Sequence, residues 1–576
     1  MNKILLTLAL AATTLTASAV PAYRAPRTLR LADGTTVVVS MHGDENHSWF
    51  SDAKGNVIEF STDGRTAHRT TRTEADEILR HATAKARAPR RIGSATTAPL
   101  PAAGSPRVPV VLVNFTDSTF SVGLRGEEVI TSEATFEETR AYYDRFCNGT
   151  EDGERHAFDG NYGSIRDYFR DQSDGKFTPQ FTVIGPVNLN KPTSYYGENT
   201  DGGKDKRYSE FCKDAIKAAT AAYDGDWMDF DNKQKNQVDM IFFIFAGTGE
   251  NTSPLSTLIW PKESTNGTTI NGIKFATTGC CSENSVTKFN GNEVLAVRAD
   301  GIGVFCHELS HALGMPDFYD TNYKAFGMDI WSLMDYGCYA GSGRRPGGYT
   351  SYEREFMGWR EMQTISEWGT YTLKPTDEGG VGLKLVNPEN PDEYYVLENR
   401  QHQGWDRSIC QRDSGMLVIH VDFKQSKWNS NNVNTDPTHQ LMTIIAANNR
   451  YIGTTGSYDI QEIIETWSGN LYPFTSKPTA DNPNPIPNDS LTALSTPAAT
   501  VFTAAGTMGT DINNIRLNPD KTVTFYLGND WVNAIRDIPV APAASSSTYY
   551  DLSGRPVSAP SRPGLYLHRG RKLLLR

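Results

Sequence analysis

His307-Glu-Leu-Ser-His-Ala-Leu-Gly-Met-Pro-Asp-Phe-Tyr319 decides how this chain is read. The pattern is H-E-x-x-H-x-x-G-x-x-D. On a helix, His307 and His311 stand four residues apart, one turn above each other on one face. That spacing lets both imidazoles reach one zinc ion, while Glu308 beside them is placed to hold a water against the metal. The opposite face carries Phe305, Leu309 and Ala312, flanked by Leu313. One side packs and the other coordinates. Gly314 permits the positive φ that ends a helix and turns the chain back. Asp317 follows that turn, where a third ligand completes the protein's share of a catalytic zinc site. Asp320 is a near rival for that place, a more distant carboxylate such as Glu398 is open, and Asp317 could instead cap the turn. The plainer alternative for the whole stretch is a helix with two histidines facing a polar core.

A second stretch follows, Asp329-Ile-Trp-Ser-Leu-Met-Asp-Tyr-Gly337. Alone, Trp331, Leu333 and Met334 read as ordinary core. After an extended zinc motif, they resemble the tight turn that metzincin-type peptidases place below their metal. The resemblance makes Met334 the apolar base under the ligands and Tyr336 a catalytic phenol near enough to steady an oxyanion.

The chain has 576 residues, too many for one core. A net charge of −11 argues against nucleic acid and against a polybasic membrane anchor. Asn2-Lys3, the apolar run Ile4 to Ala12 and Ala17-Ser-Ala19 read as an export signal, residues 1–19, with a small-residue cleavage site. The run is too short to span a bilayer and no later segment is long enough, so no transmembrane segment is expected. No cysteine follows the signal, which argues against a lipid anchor. The expected location is therefore secreted, extracellular or at the surface of a bacterial cell. Seven cysteines leave at least one unpaired, and no pairing is assigned.

Residues 20–105 read as a small β-rich unit with hairpins over 29–40 and 49–60, a charged helix near 74–85 and an Arg87–Arg91 linker. An exposed basic linker ahead of an enzyme suggests a removable pro-segment, with an accessory domain as the alternative. No cysteine precedes the catalytic unit, so latency through a thiol on the zinc is excluded. Residues 106–362 read as α/β: strands at 108–115 and 238–246, and helices near 136–146, 164–171, 208–222 and 301–313. Residues 363–530 carry strand patterns at 369–373, 382–386, 393–400, 415–422 and 522–526, as in a β-sandwich. The Asn/Pro-rich stretch 469–490 reads as a surface loop, and His420 as structural. The expected fold class is thus an α/β (α+β) zinc metallopeptidase domain between a β-rich pro-segment and an all-β, sandwich-like domain.

The zinc motif, Leu-Met-Asp-Tyr336, the Val108–Phe115 strand, Val238-Asp-Met-Ile-Phe-Phe-Ile-Phe-Ala-Gly-Thr-Gly-Glu250 and Ile259-Trp-Pro-Lys262 together resemble the immune inhibitor A family of secreted metallopeptidases. The similarity runs over roughly 106–420 and implies a zinc endopeptidase made as a zymogen and acting on protein or peptide substrates. Two departures stand out. Family members often carry an acidic calcium loop before the Val-Asp strand, whereas residues 231–239 here read Asp-Asn-Lys-Gln-Lys-Asn-Gln-Val-Asp. Calcium wants hard oxygen ligands, so that site is expected to be lost, with calcium open elsewhere through Asp224, Asp226 or Asp229. The usual Trp-Pro-His also ends in Lys262. Residues 531–576 end in Asp551-Leu-Ser-Gly-Arg555 and Pro563-Gly-Leu-Tyr566, which resemble the sorting tail of type IX secretion substrates and imply an export-machinery partner. A surface adhesin on a silent peptidase scaffold, or a zinc esterase, is the alternative function; intact Glu308 weighs against the silent scaffold.

Overall fold

The computed structural model describes residues 17–60, 66–71, 75, 98–121, 124–125, 128–129, 135–200, 205–290, 293–411, 413–453, 459–479, 485, 487–530, 549–551, 555–557, 564–568 and 571–575. The apolar run of the expected signal, the helix expected over 74–85 (Ala75 apart) and the Arg87–Arg91 linker lie outside these residues. The chain divides into two compact units, one ending at Gly528 and one beginning at Asn529. It is a mixed α/β protein with several sheets and few helices.

The first unit is built on a sheet of β1 (Ala17–Ser18), β2 (Arg107–Asn114), β3 (Gln180–Asn188), β4 (Ile241–Thr248), β5 (Lys262–Thr265), β6 (Thr277–Asn290) and β7 (Glu293–Ala299). The order is β1-β5-β6-β4-β2-β3, with β7 paired to β6 beside this path. Strands β3, β2, β4 and β6 are mutually parallel, while β5 runs antiparallel to β6. Side chains of successive strand residues point to opposite faces, and here both faces are buried. Val108, Val110, Leu112, Phe242 and Ile244 enter one core, which includes α1 (Phe136–Asn148), α2 (Ile165–Gln172) and α4 (Gly303–Ala312). Val111, Val113, Ile241, Phe243 and Phe245 enter the other core, under α3 (Tyr208–Ala222). Continuous β-branched and aromatic runs at 108–115 and 238–246 follow from that two-sided burial.

Helices α1 and α2 begin with reciprocal caps, Thr135 with Glu138 and Ser164 with Asp167, which satisfy free amides of the first turn. Strands Arg27–Arg30, Thr36–Asp44, His47–Asp52, Val57–Phe60 and Ala67–Arg69 form an antiparallel five-stranded sheet. Downstream, a five-stranded sheet from Gln363–Ile365 to Met442–Ile444 and a three-stranded sheet containing Gly369–Leu373, Val523–Leu527 and Ile512–Leu517 share one core. The first core draws on Val20, Leu100, Phe305, Ile419 and Leu471, so it takes side chains from both sides of positions 105 and 362.

The stretch 469–490 departs from a surface loop at its start. Leu471 and Tyr472 are buried, and Tyr472 exchanges backbone hydrogen bonds with Met416 at 2.8 and 2.9 Å. A nine-residue helix just before it, Ile460–Ser468, was not expected from the sequence. In the second unit, Tyr549–Tyr550, Pro556–Val557, Gly564–His568 and Arg571–Leu575 pair into an antiparallel four-stranded sheet. No helix of the described residues is long and apolar enough to cross a membrane.

Candidate metal centre

Helix α4 is buried on every side. Phe305 stacks on Phe242 with ring centres 3.7 Å apart and meets Phe181 edge-on, which locks the helix to the sheet. Gly303 opens the helix where its backbone lies against the carbonyl of Cys338; a Cβ there would stand 1.8 Å from that oxygen. At the other end Gly314 takes φ +99°, and Met315 N–H donates to Ser310 O at 3.1 Å, closing the helix as its left-handed glycine requires.

This geometry brings His307, His311 and Asp317 together. The two Nε2 atoms are 3.1 Å apart, and Asp317 Oδ1 lies 3.2 Å from the first and 3.1 Å from the second. Each Nδ1–H donates to a backbone carbonyl, His307 to Leu333 O at 2.8 Å and His311 to Met315 O at 2.7 Å. Both Nε2 lone pairs therefore face the same point as the carboxylate oxygen. Three lone pairs converging in a buried space repel one another unless a cation lies between them. Ligands about 2.0–2.2 Å from a tetrahedral zinc are about 3.3–3.6 Å apart, slightly wider than this triangle. Burial lowers the His307 pKa and favours the neutral imidazole a ligand needs.

Asp320 is turned elsewhere: its carboxylate accepts from the backbone amides of Asn322, Lys324 and Ala325, each at 2.7 Å. Glu398 bonds Ser351 N–H and Arg400. Leu333 and Met334 are fully buried, and the loop carrying them is tied by Asp335, which accepts from Met328, Asp329 and Tyr336 N–H. Through Leu333 O that loop orients His307.

Glu308 Oε1 accepts the Val20 N–H at 2.9 Å, and its Oε2 is buried without a hydrogen-bond partner among the described residues. Burial pushes the Glu308 pKa well up. The ring of Tyr336 lies beneath the Arg24 guanidinium, 4.2 Å from its centre, and packs on Tyr23 and Tyr339.

Sequence reasoning did not single out Asn431. Its Nδ2 donates to Asp317 Oδ2 at 2.5 Å while its Oδ1 accepts Asp317 N–H at 2.7 Å. Nothing local in the sequence around Asn431 marks such a residue, because its partner is 114 positions away.

In 231–239, Asp231 accepts the amides of Lys235 and Asn236, and Asp239 accepts that of Lys233. Asp226 caps Met228 N–H and Asp229 pairs with Arg107. Among the described residues, the group of three or more His, Cys, Asp or Glu side chains close enough to share an ion is His307, His311 and Asp317. Lys262 forms a buried ion pair with Asp205 at 2.7 Å, and all seven cysteines are buried and free.

Residues 101–365 match the family model described as Immune inhibitor A peptidase M6, catalytic domain. Among curated proteins, the chain is 28% identical over 222 residues to Immune inhibitor A of Bacillus thuringiensis subsp. alesti, covering 34% of this chain and 31% of that protein. It is 24% identical over 226 residues to Pre-pro-metalloprotease PrtV of Vibrio cholerae serotype O1 (strain M66-2), covering 34% of this chain and 24% of that protein. The chain thus spans less than a third of the length of the relatives it matches.

Proposed function

From the match of residues 101–365 to the immune inhibitor A peptidase M6 catalytic-domain model, we propose that this chain is a zinc-dependent endopeptidase hydrolysing peptide bonds of extracellular proteins. The triangle of His307 Nε2, His311 Nε2 and Asp317 Oδ1 beside the Glu308 carboxylate carries this reading. His307, His311 and Asp317 hold the metal. Zinc bound there supplies a water of near-neutral pKa and polarises the scissile carbonyl. Glu308 takes the water's proton and passes it to the leaving amine. A phenol steadies the oxyanion, with Tyr336 the candidate from sequence.

In the proposed organisation, residues 1–19 are an export signal, 20–105 a pro-segment that makes the chain a zymogen, 106–362 the catalytic domain, 363–530 a sandwich-like domain and 531–576 a sorting tail read by export machinery. The protein is then secreted or held at the bacterial surface. Calcium has no proposed site: the carboxylates at 231 and 239 are already engaged by backbone amides.

The test is casein hydrolysis by the chain with its pro-segment cut, with and without a zinc chelator, beside Glu308→Ala. Chelator-sensitive cleavage that zinc restores and the variant lacks is the expected result. Zinc-loaded protein that cuts no protein substrate would overturn the proposal.

A further inference from the structure

Residues 17–24 run through the candidate centre, Ala17–Ser18 as a short strand and 19–24 as the irregular segment that continues it. Strand β1 pairs antiparallel with β5, Ala17 opposite Ser264 and Ser18 opposite Glu263, and so lengthens the sheet at its edge. The Ser18 side chain and several peptide groups beyond β1 are held by named partners. Asn431 Nδ2 donates to Ser18 Oγ at 3.1 Å, Tyr319 Oη to Ala19 O at 2.9 Å and Trp260 Nε1 to Val20 O at 3.1 Å. Tyr339 Oη donates to Pro21 O at 2.7 Å, and Tyr23 N–H to Asn251 O at 2.9 Å. Arg24 closes the run by its 2.7 Å ion pair with Asp329. Ala19 and Val20 are fully buried.

The register of this strand is what matters. In peptide hydrolysis the nitrogen that receives a proton belongs to the residue after the cut bond, and the acid must stand within hydrogen-bond reach of it. Glu308 Oε1 stands 2.9 Å from Val20 N. The carbonyl under attack belongs to the residue before the bond, here Ala19, and its oxygen is held by the Tyr319 phenol. Tyr336 touches Tyr23 and Arg24, three and four residues further along.

We propose that residues 17–24 occupy the cleft as a substrate does, with Ala19–Val20 in the place of the bond to be cut, and that Tyr319 is the catalytic residue donating to the developing oxyanion. This rests on the peptidase reading. Two consequences follow. The substrate is an extended peptide with a small residue before the cut bond and a medium aliphatic one after it. The chain also inhibits itself while the strand stays in place. A chain cut after Ala19, the bond at which the export signal is expected to end, would lose β1 and the Ala19 carbonyl, so the inhibition is proposed for the chain that retains residues 17–19.

The experiment uses the full-length zinc-loaded chain with residues 1–19 retained, a quenched peptide with Ala-Val at its centre, zinc analysis, and amide exchange of residues 17–24. Val20→Asp puts a carboxylate into the apolar core that Val20 fills and should release the strand. Peptide turnover should rise about tenfold or more, and exchange across 17–24 should speed up. Arg24→Ala, which only removes the outer ion pair, is the milder variant with the same direction of effect. In the Val20→Asp background, Tyr319→Phe should lower kcat about 100-fold with KM little changed and zinc retained, a clearly larger loss than in Tyr336→Phe. Exchange across 17–24 that is as fast in the unaltered chain as in Val20→Asp overturns the strand assignment, whatever the activity. Equal kcat losses in the two tyrosine variants, or a loss confined to Tyr336→Phe, overturn the assignment of Tyr319. If no zinc-loaded form cuts any peptide while exchange shows the strand held, the peptidase reading fails and the strand placement stands.

Discussion

Asn431 and Asp317 hold each other by two reciprocal hydrogen bonds, side chain to side chain at 2.5 Å and backbone N–H to amide oxygen at 2.7 Å. The amide thereby fixes which carboxylate oxygen, Oδ1, points at the two histidines. Partners of this kind are worth about 10- to 100-fold in metal affinity. Asn431→Ala should weaken zinc binding by about that factor, read by competition with a chromophoric chelator. Activity should recover at high zinc concentration. Unchanged affinity would mean that Asp317 is oriented without Asn431, or is not a ligand.

Glu308 and His311 separate chemistry from binding. Glu308→Gln keeps the shape of the side chain and removes the base, so turnover should fall at least about 100- to 10,000-fold. Zinc content should stay at that of the unaltered protein. His311→Ala removes one corner of the triangle and should lose zinc and activity together. Glu308→Gln protein that has lost its zinc would show that the carboxylate serves the metal and not the proton transfer.

The residues of the triangle were legible because their relationship is local. A four-residue spacing on one helix face and one left-handed glycine carry His307, His311 and Asp317 to the same point; the sequence marks the two histidines and leaves Asp317 beside Asp320 and Glu398. The strands at 108–115 and 238–246 were legible because burial on both faces demands unbroken apolar runs. Three features were not. Strand β6 carries Thr-Thr-Gly-Cys-Cys-Ser-Glu-Asn-Ser over its buried part, a polar run that is covered only because β5, β4 and β7 flank it. Tyr472 sits in an Asn/Pro-rich stretch whose average composition hides one anchored ring. The placement of residues 17–24 against Glu308 joins positions 288 apart, a contact that no spacing rule reaches.

Gly303 tests the close packing beneath the helix. A methyl group there meets the Cys338 carbonyl at 1.8 Å, and the neighbour is backbone, so relief requires the helix or the 336–343 turn to move. Gly303→Ala should destabilise the protein by about 1–3 kcal/mol or more, despite alanine's better helix propensity. It should also weaken zinc binding, because the turn and the helix both carry the site. Urea unfolding with and without zinc measures both effects. A stabilised variant would contradict the close approach.

Lys262 and Asp205 form an ion pair that is almost fully buried. Desolvation of two charges offsets much of their attraction, but removing one alone strands the other, at a cost of about 3–5 kcal/mol. Lys262→Met should therefore be strongly destabilising, the more so because Glu250 lies near enough to Asp205 for each to oppose the other's ionisation. The double variant Lys262→Met, Asp205→Leu should regain most of that loss. Additive losses in the double variant, measured by urea unfolding, would show that the two side chains do not act as a pair.

Glu393 links stability to acid. It is buried, and its carboxylate accepts hydrogen bonds from His420 at 2.8 Å, Phe502 N–H at 2.6 Å and Asn387 at 2.8 Å. Burial alone would raise its pKa, but these donors outweigh it and leave the folded-state value below the ordinary 4.5. A depressed carboxylate pKa stabilises the folded state fully above the unfolded value, and that stabilisation disappears as pH falls through the folded one. Glu393→Gln should thus be less stable than the unaltered protein at about pH 6, with the gap closing between pH 4.5 and lower values. Urea midpoints of both proteins, taken from about pH 6 down to about pH 3, measure it. A gap that stays constant over that range would assign the loss to altered packing and remove Glu393 from the acid response.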